Sequence, residues 1–265
     1  MIWGDEMPIN FHDEHNENSY NSRNADKGWK ETIKSLTKGT VINKAADIGC
    51  GGGIYSKALS DMGIPYVIGV DFSVPMLRGA NQNLAKYDGG ISFKKGDAYK
   101  TGQPDACFDL VLERALIHHL DDLHACFKEA YRILNENGIL IIQDRTASDC
   151  FLEGNKNHIR GYIFELFPRL KNIEMNRRYS SREVKKHLEI AGFKDVKAIK
   201  FWETRKKYRS KTDLLKDIAF RKGRSILFEL TDAELQQLVS YIDRKLSDEE
   251  AVTEKDRWTV WKAVK

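Results

Sequence analysis

Four carboxylates and a histidine stand where apolar runs end, and their spacing suits chemistry along one edge of a sheet. They are Asp47, Asp71, Asp97, Glu113 and His118. Asp47 lies two residues before Gly49, the first glycine of Gly49-Cys50-Gly51-Gly52-Gly53, and a periodic segment with Ile54, Ala58 and Leu59 follows. A strand, a glycine turn and a helix in that order bring backbone N–H groups close to a nucleotide-like ligand. Two details narrow the ligand. A dinucleotide fingerprint needs Gly or Ala five positions after its first glycine, and that position is Ile54. A pyrophosphate would also have to approach the Asp47 carboxylate, whereas a cationic ligand is welcome there. Both details disfavour a nicotinamide-dependent oxidoreductase.

The pattern Asp47-x-Gly49-x-Gly51-x-Gly53 resembles the first motif of class I S-adenosylmethionine-dependent methyltransferases. Asp71 ends the run Tyr66–Val70, 24 residues after Asp47, and there the resemblance implies a carboxylate holding both ribose hydroxyls. Phe72-Ser73-Val74-Pro75-Met76-Leu77 continues the likeness, with Met76 against the adenine ring. Asp97-Ala98 matches the pair that reads the adenine amino group, and Glu113-Arg114 to His118-His119-Leu120 resembles the segment beneath the cofactor in ubiquinone-biosynthesis-like enzymes. Tyr20-x-x-Arg23 looks like the family's N-terminal lid, whose Arg pairs with the cofactor carboxylate. The implied cofactor-binding set is Tyr20, Arg23, Asp47, Gly49, Cys50, Gly51, Asp71, Phe72, Ser73, Met76, Asp97, Ala98, Glu113 and Arg114. The cofactor is S-adenosyl-L-methionine and its product S-adenosyl-L-homocysteine. Simpler roles stand beside these: an Asp after a strand is an ordinary cap, Met76 serves as core filler, and Asp97 after Gly96 suits a turn.

Methyl transfer from a sulfonium asks mainly for alignment and exclusion of water, worth roughly 7–11 kcal/mol. A base adds about 10²–10⁴-fold only when the acceptor carries a proton. Candidates at the strand ends are Glu113, His118, His119 and Asp144, with Glu113 and His118 favoured. No metal is expected. Adjacent histidines rarely chelate one ion, and Cys50, Cys107, Cys126 and Cys150 form no C-x-x-C pair. The same cysteine spacing reads as free thiols of a reduced compartment.

These residues need a scaffold. The alternation of short strands with amphipathic helices predicts an α/β fold, a doubly wound, mostly parallel seven-stranded sheet of Rossmann-like methyltransferase type. One domain spans 1–265: a lid at 1–40, a cofactor-binding core at 41–145, a substrate-cover segment at 146–192, and the last strands at 193–265 with a helical cap about 205–255. Strands are expected at Ala45–Ile48, Tyr66–Val70, Ile91–Ala98, Phe108–Leu112, Ile139–Ile142, Phe193–Trp202 and Arg257–Val264, with a turn at Asn135–Gly138. Capping boxes at Ser180 and Thr231 start two helices.

No apolar run reaches 18 residues and the N-terminus has no apolar core, so the chain reads as cytoplasmic, with no membrane partner. Between Lys194 and Arg224 stand 12 Lys/Arg against 4 Asp/Glu. Arg205, Lys206, Lys207, Arg209, Lys211, Arg221, Lys222 and Arg224 could surround an anionic substrate, contact a nucleic-acid backbone, or form a solvated face. A small-molecule acceptor is favoured over tRNA, other RNA or protein, because no RNA-binding module is recognisable. A catalytically silent adenosyl-ligand-binding protein is the remaining alternative.

Overall fold

Burial on both faces decides which strands sit at the centre. Ala45, Ala46 and Ile48 of β1 (Lys44–Ile48) are buried, as are Leu110, Val111 and Leu112 of β4 (Phe108–Arg114). Central parallel strands require such runs, apolar on both sides. The computed structural model describes residues 25–247 and 251–265; Tyr20 and Arg23 of the expected lid lie outside them. With β2 (Tyr66–Asp71), β3 (Ile91–Lys95), β5 (Leu134–Asp144), β6 (Lys194–Tyr208) and β7 (Val252–Val264), the strands form one sheet in the order β3-β2-β1-β4-β5-β7-β6. The first five pair in parallel, and β7 runs antiparallel between β5 and β6. The expected seven-stranded, mostly parallel sheet is the observed one.

Helices cover both faces. One face carries α1 (Lys27–Leu36) and α2 (Ile54–Asp61), whose Trp29, Ile33, Ala58 and Leu59 pack with Leu110, Leu112, Ile139 and Ile141. Asp26 caps α1 by accepting from the Trp29 N–H. The other face carries α4 (Leu123–Ile133) and α8 (Ser181–Ile190), through Cys126, Phe127, Ala130, Val184 and Leu188. The α3 helix (Val74–Asn83) packs on β2 and β3. Between β5 and α8 lie α5 (Ala147–Cys150), α6 (Ile159–Leu166) and α7 (Leu170–Arg177); between β6 and β7 lie α9 (Lys211–Ala219) and α10 (Asp232–Lys245). These two segments share a single apolar core of their own, including Ile159, Ile163, Phe164, Leu214, Leu235, Leu238 and Ile242. The helices that precede α8 and those between β6 and β7 are therefore one packed body.

Two boundaries differ from expectation. The β6–β7 ribbon runs on to the Tyr208↔Val252 pair, so residues 205–208 and 252–255 belong to strands and not to the cap. Buried charges explain why the apolar alternation missed this. Glu203, Glu254 and Asp256 occupy inward positions where a sequence pattern looks for apolar side chains. The strand β5 starts at Leu134, and Asn135–Gly138 is absorbed as an irregularity between the Phe108↔Leu134 and Leu110↔Ile139 pairs, with Asn137 at φ 63°.

Candidate functional site

The glycine elbow joins β1 to α2 at the carboxyl edge of the sheet. Gly49, Gly51 and Gly53 have φ of 71°, 51° and 78°, a left-handed conformation that side chains resist. A Cβ at Gly49 would come within 2.9 Å of Leu116, and one at Gly51 within 3.3 Å of the Met76 terminal methyl. The elbow is tied to the next strand. The N–H groups of Gly49 and Cys50 donate to the Val70 carbonyl at 2.8 and 3.1 Å, and the Gly51 N–H donates to Asp71 Oδ2 at 2.9 Å. Asp71 also accepts from the Ser73 N–H at 2.9 Å, and the Ser73 hydroxyl accepts from the Met76 N–H at 3.4 Å to cap α3. Asp71, Ser73, Met76, Gly49, Cys50 and Gly51 are thus brought together. Phe72 is about half exposed beside them. Asp97 lies in an exposed turn, accepting from the N–H groups of Tyr99 and Lys100 at 2.8 Å, and Ala98 is buried in the sheet core.

Among the described residues, two acids beneath this edge are buried without an ion-pair partner. Asp47 accepts from the Ser56 hydroxyl at 2.7 Å, and burial pushes its carboxyl up to about 7. Glu113, 1% exposed, accepts from the Cys126 thiol at 3.4 Å; among the described residues its Oε2 has no partner, and burial pushes it up to about 7 as well. The two lie on opposite faces of the sheet, Asp47 toward α2 and Glu113 toward α4.

His118 stands just past β4, in the short 3-10 turn Ile117–His119. Its Nδ1 is 2.8 and 3.0 Å from the two oxygens of Asp144, the last residue of β5. A carboxylate at Nδ1 assigns the proton to that nitrogen and leaves Nε2 as the basic one. Burial holds the imidazole below its ordinary value and outweighs the opposing pull of Asp144. Burial would raise Asp144 too, yet the neighbouring His118 and Arg178 hold its carboxyl well below the usual range.

From Asp144 a chain of charges runs into the cap. Arg178 donates to Asp144 and Glu174 at 2.9 Å each, Arg160 joins Glu174 at 3.5 Å and Asp256 at 3.1 Å, and Arg145 donates to Asp256 at 2.8 Å. Sequence reading named Asp144 but could not foresee this joint, whose partners are up to 111 residues apart. It also missed Glu203, Tyr55 and Trp258, which surround Arg114.

The basic stretch, which the sequence leaves open between a substrate contact, a nucleic-acid contact and a solvated face, is largely paired within the protein. Arg205 and Arg224 both pair with the buried Glu254, Lys206 with Asp217, Lys211 with Asp243 and Arg221 with Asp232. Two cavities of about 420 and 750 Å³ lie away from the elbow, one by Leu166 and Tyr241, the other by Tyr99, Glu129 and Arg132. Among the described residues no cluster of His, Cys, Asp and Glu could hold a metal ion, and no helix is long and apolar enough to cross a membrane.

With strand order, elbow and strand-tip acids described, the class is defined: the chain has the class I S-adenosylmethionine-dependent methyltransferase fold. Residues 46–142 match a family described as a methyltransferase domain. A ubiquinone biosynthesis O-methyltransferase of Pelagibacter ubique is 32% identical over 128 residues, 46% of this chain and 50% of that protein. Phosphoethanolamine N-methyltransferase 1 of Arabidopsis thaliana is 30% identical over 143 residues, 51% of this chain and 29% of that protein. The chain spans half or less of the length of these relatives, and its likeness to the ubiquinone type is no stronger than its likeness to the phosphoethanolamine type. The phosphoethanolamine N-methyltransferase 2 of Haemonchus contortus, solved with phosphomonomethylethanolamine and S-adenosylhomocysteine, superposes with a TM-score of 0.59 at 18% identity, covering 97% of this chain and 61% of that one.

Proposed function

We propose that the chain is an S-adenosylmethionine-dependent methyltransferase acting on a small molecule with an O, N or C nucleophile. The observation that carries this reading is the glycine elbow locked by the Gly51 N–H to the Asp71 carboxylate, beside two buried acids, Asp47 and Glu113, that form no ion pair among the described residues. Such acids suit a ligand that brings its own positive charge. When bound, the cofactor supplies an electrophilic methyl group on a sulfonium.

The chain's own residues have simple tasks. Asp71 takes the ribose hydroxyls, Met76 and Ala98 flank the adenine side, and the elbow's backbone lets the ligand approach closely. His118, oriented by Asp144, accepts the acceptor's proton at Nε2. Glu113 is the second candidate base, though its burial toward Cys126 favours a role in the floor of the site. The cap, joined to the sheet through Asp144 and Arg178, excludes water from the reacting atoms. The relatives named as a ubiquinone biosynthesis O-methyltransferase and a phosphoethanolamine N-methyltransferase support a small acceptor, and the internal pairing of the basic stretch weakens the RNA reading.

Calorimetry with S-adenosylhomocysteine tests the cofactor, and transfer of labelled methyl to a panel of phenols, quinols and phosphorylated amines tests the acceptor class. Asp71→Ala is expected to weaken S-adenosylhomocysteine by roughly 10- to 100-fold, as loss of charge-assisted hydrogen bonds implies. His118→Ala is expected to lower turnover on a hydroxyl acceptor by about 10²–10⁴-fold with cofactor affinity unchanged. Unaltered affinity in the first variant, or full turnover in the second, rejects the corresponding assignment.

A further inference from the structure

Arg145 follows Asp144 at the tip of β5, next to the candidate base and outside the elbow. Its backbone N–H donates at 2.7 Å to Asp144 Oδ1, part of the carboxylate that orients His118. The Arg145 charge also acts on the His118 ring itself. On its other side stands Trp258, 6% exposed, whose ring lies 4.2 Å from the central carbon of Arg145 and 4.7 Å from that of Arg114. Of the two guanidiniums against this ring, Arg114 is engaged: its Nη2 donates to the buried Glu203 at 2.7 Å, and the Tyr55 ring lies 3.8 Å away.

Arg145 is the guanidinium that the charged joint leaves short of acceptors. Arg178 meets two carboxylates, Asp144 and Glu174, and Arg160 meets two, Glu174 and Asp256. Arg145 reaches Asp256 alone, through Nη1 at 2.8 Å, and Arg160 already holds that group. Among the described residues its Nε is buried with no hydrogen-bond partner and its Nη2 makes no hydrogen bond, while 13% of the side chain stays exposed. The electrostatics agree. Burial works against all three charges, yet Asp256 holds Arg160 above its ordinary value and Glu174 does the same for Arg178. Arg145 instead is pushed down to about 10, by burial and then by Arg160. A guanidinium with unused donors in a dry joint favours an incoming anion, and its planar fork fits two oxygens of a carboxylate or a phosphate.

We propose that Arg145, held by Asp256 and Trp258, receives an oxyanion carried by the methyl acceptor and so sets the acceptor's nucleophile beside His118. This names the acceptor class of the methyltransferase reading above and rests on that reading. It also moves anion recognition away from the basic stretch, where Arg205, Lys206 and Arg224 are answered within the protein. Arg145 is a binding residue here; Asp256 and Trp258 act through it.

The test uses calorimetry on the full chain saturated with S-adenosylhomocysteine, with three probes of similar shape: benzoate, phenyl phosphate and the neutral benzamide. At least one anion is expected to bind roughly 10- to 100-fold more tightly than benzamide, the span of one charge-assisted pair. A lead for benzoate assigns a carboxylate acceptor, and a lead for phenyl phosphate a phosphorylated one. Arg145→Gln is expected to bring that anion to the level of benzamide while S-adenosylhomocysteine affinity changes by less than about twofold. Arg145→Lys keeps a charge against Asp256, and with it the fold, and is expected to lose a smaller part of the preference with the fork. A merely structural role would weaken S-adenosylhomocysteine and all three probes together. Anions that bind wild type no better than benzamide overturn the proposal, as does a preference that either variant leaves unchanged; in both cases S-adenosylhomocysteine binding keeps the cofactor reading intact. Wild-type protein that fails to bind S-adenosylhomocysteine overturns that reading and the acceptor site with it.

Discussion

Two sets of buried acids lie within one sheet edge, and they are treated in opposite ways. At the elbow, Asp47 and Glu113 have no ion-pair partner among the described residues, and burial raises both to about 7. At the joint between sheet and cap, Asp144, Glu174, Asp256 and Glu254 each meet at least one guanidinium. Burial would raise these too, but Arg160, Arg178, Arg205, Arg224 and Arg145 pull them down, Glu174 to about 2. The joint commits its charges to fixed architecture, whereas the elbow acids are the ones that the proposed cofactor would meet. The pH linkage therefore has opposite signs. A raised carboxyl stabilises the fold below its unfolded value near 4 and loses that contribution as pH climbs to 7; a lowered one contributes above about 4 and loses it as pH falls.

The largest expected effect lies at the joint. Glu254→Ala leaves Arg205 and Arg224 buried without their shared acceptor, a loss of about 3–5 kcal/mol by the usual cost of orphaning a buried charge. Urea unfolding measures it. A loss below about 1 kcal/mol would mean that water reaches those guanidiniums and that the joint is no different from a surface pair.

At the elbow the same kind of change should have the reverse sign. Asp47→Asn removes a carboxyl that must ionise in a dry site, so the ligand-free protein should gain on the order of 2 kcal/mol at pH 8. The gain should shrink at pH 5, where the native carboxyl is protonated anyway. Thermal unfolding across that range checks the slope, and the same variant should bind S-adenosylhomocysteine more weakly. A variant less stable than wild type at pH 8 would show that Asp47 is structural, and the contrast between the two regions would fail.

The contrast also explains what could be read from the chain beforehand. The sheet, its order of alternation and the elbow were legible because apolar runs and glycines are local signals, as Ala45–Ile48 and Gly49–Gly53 illustrate. Capping boxes at Ser180 and Thr231 were equally local, and both form. The ends of β6 and β7 were not legible, since Glu203, Arg205, Glu254 and Asp256 look like surface residues until their partners are known. For the same reason the basic stretch read as either a binding face or a solvated one, although each of Arg205 and Arg224 is answered by Glu254 about 30 to 49 residues away. Asp71 was read from its place at the end of β2 and Met76 from the family resemblance, but Glu203 reaches Arg114 across 89 residues and carries no motif at all.

The smallest effect separates the regions most finely. Ser180 caps α8 on the sheet, and Thr231 caps α10 in the cap, each by the same reciprocal pair with a glutamate three residues on. Replacing either with Ala should cost about 1 kcal/mol. Because α10 packs into the cap's own apolar core and α8 into the sheet core, the consequences should stay local. In hydrogen exchange, Thr231→Ala should speed amides of α9, α10 and α6 and leave β1, β4 and α8 as they were, with S-adenosylhomocysteine affinity preserved. Ser180→Ala should do the converse, loosening α8 and its contacts with α4. If Thr231→Ala instead loosens the whole chain uniformly, cap and sheet unfold as one cooperative unit, and the charged joint couples them more tightly than their separate cores imply.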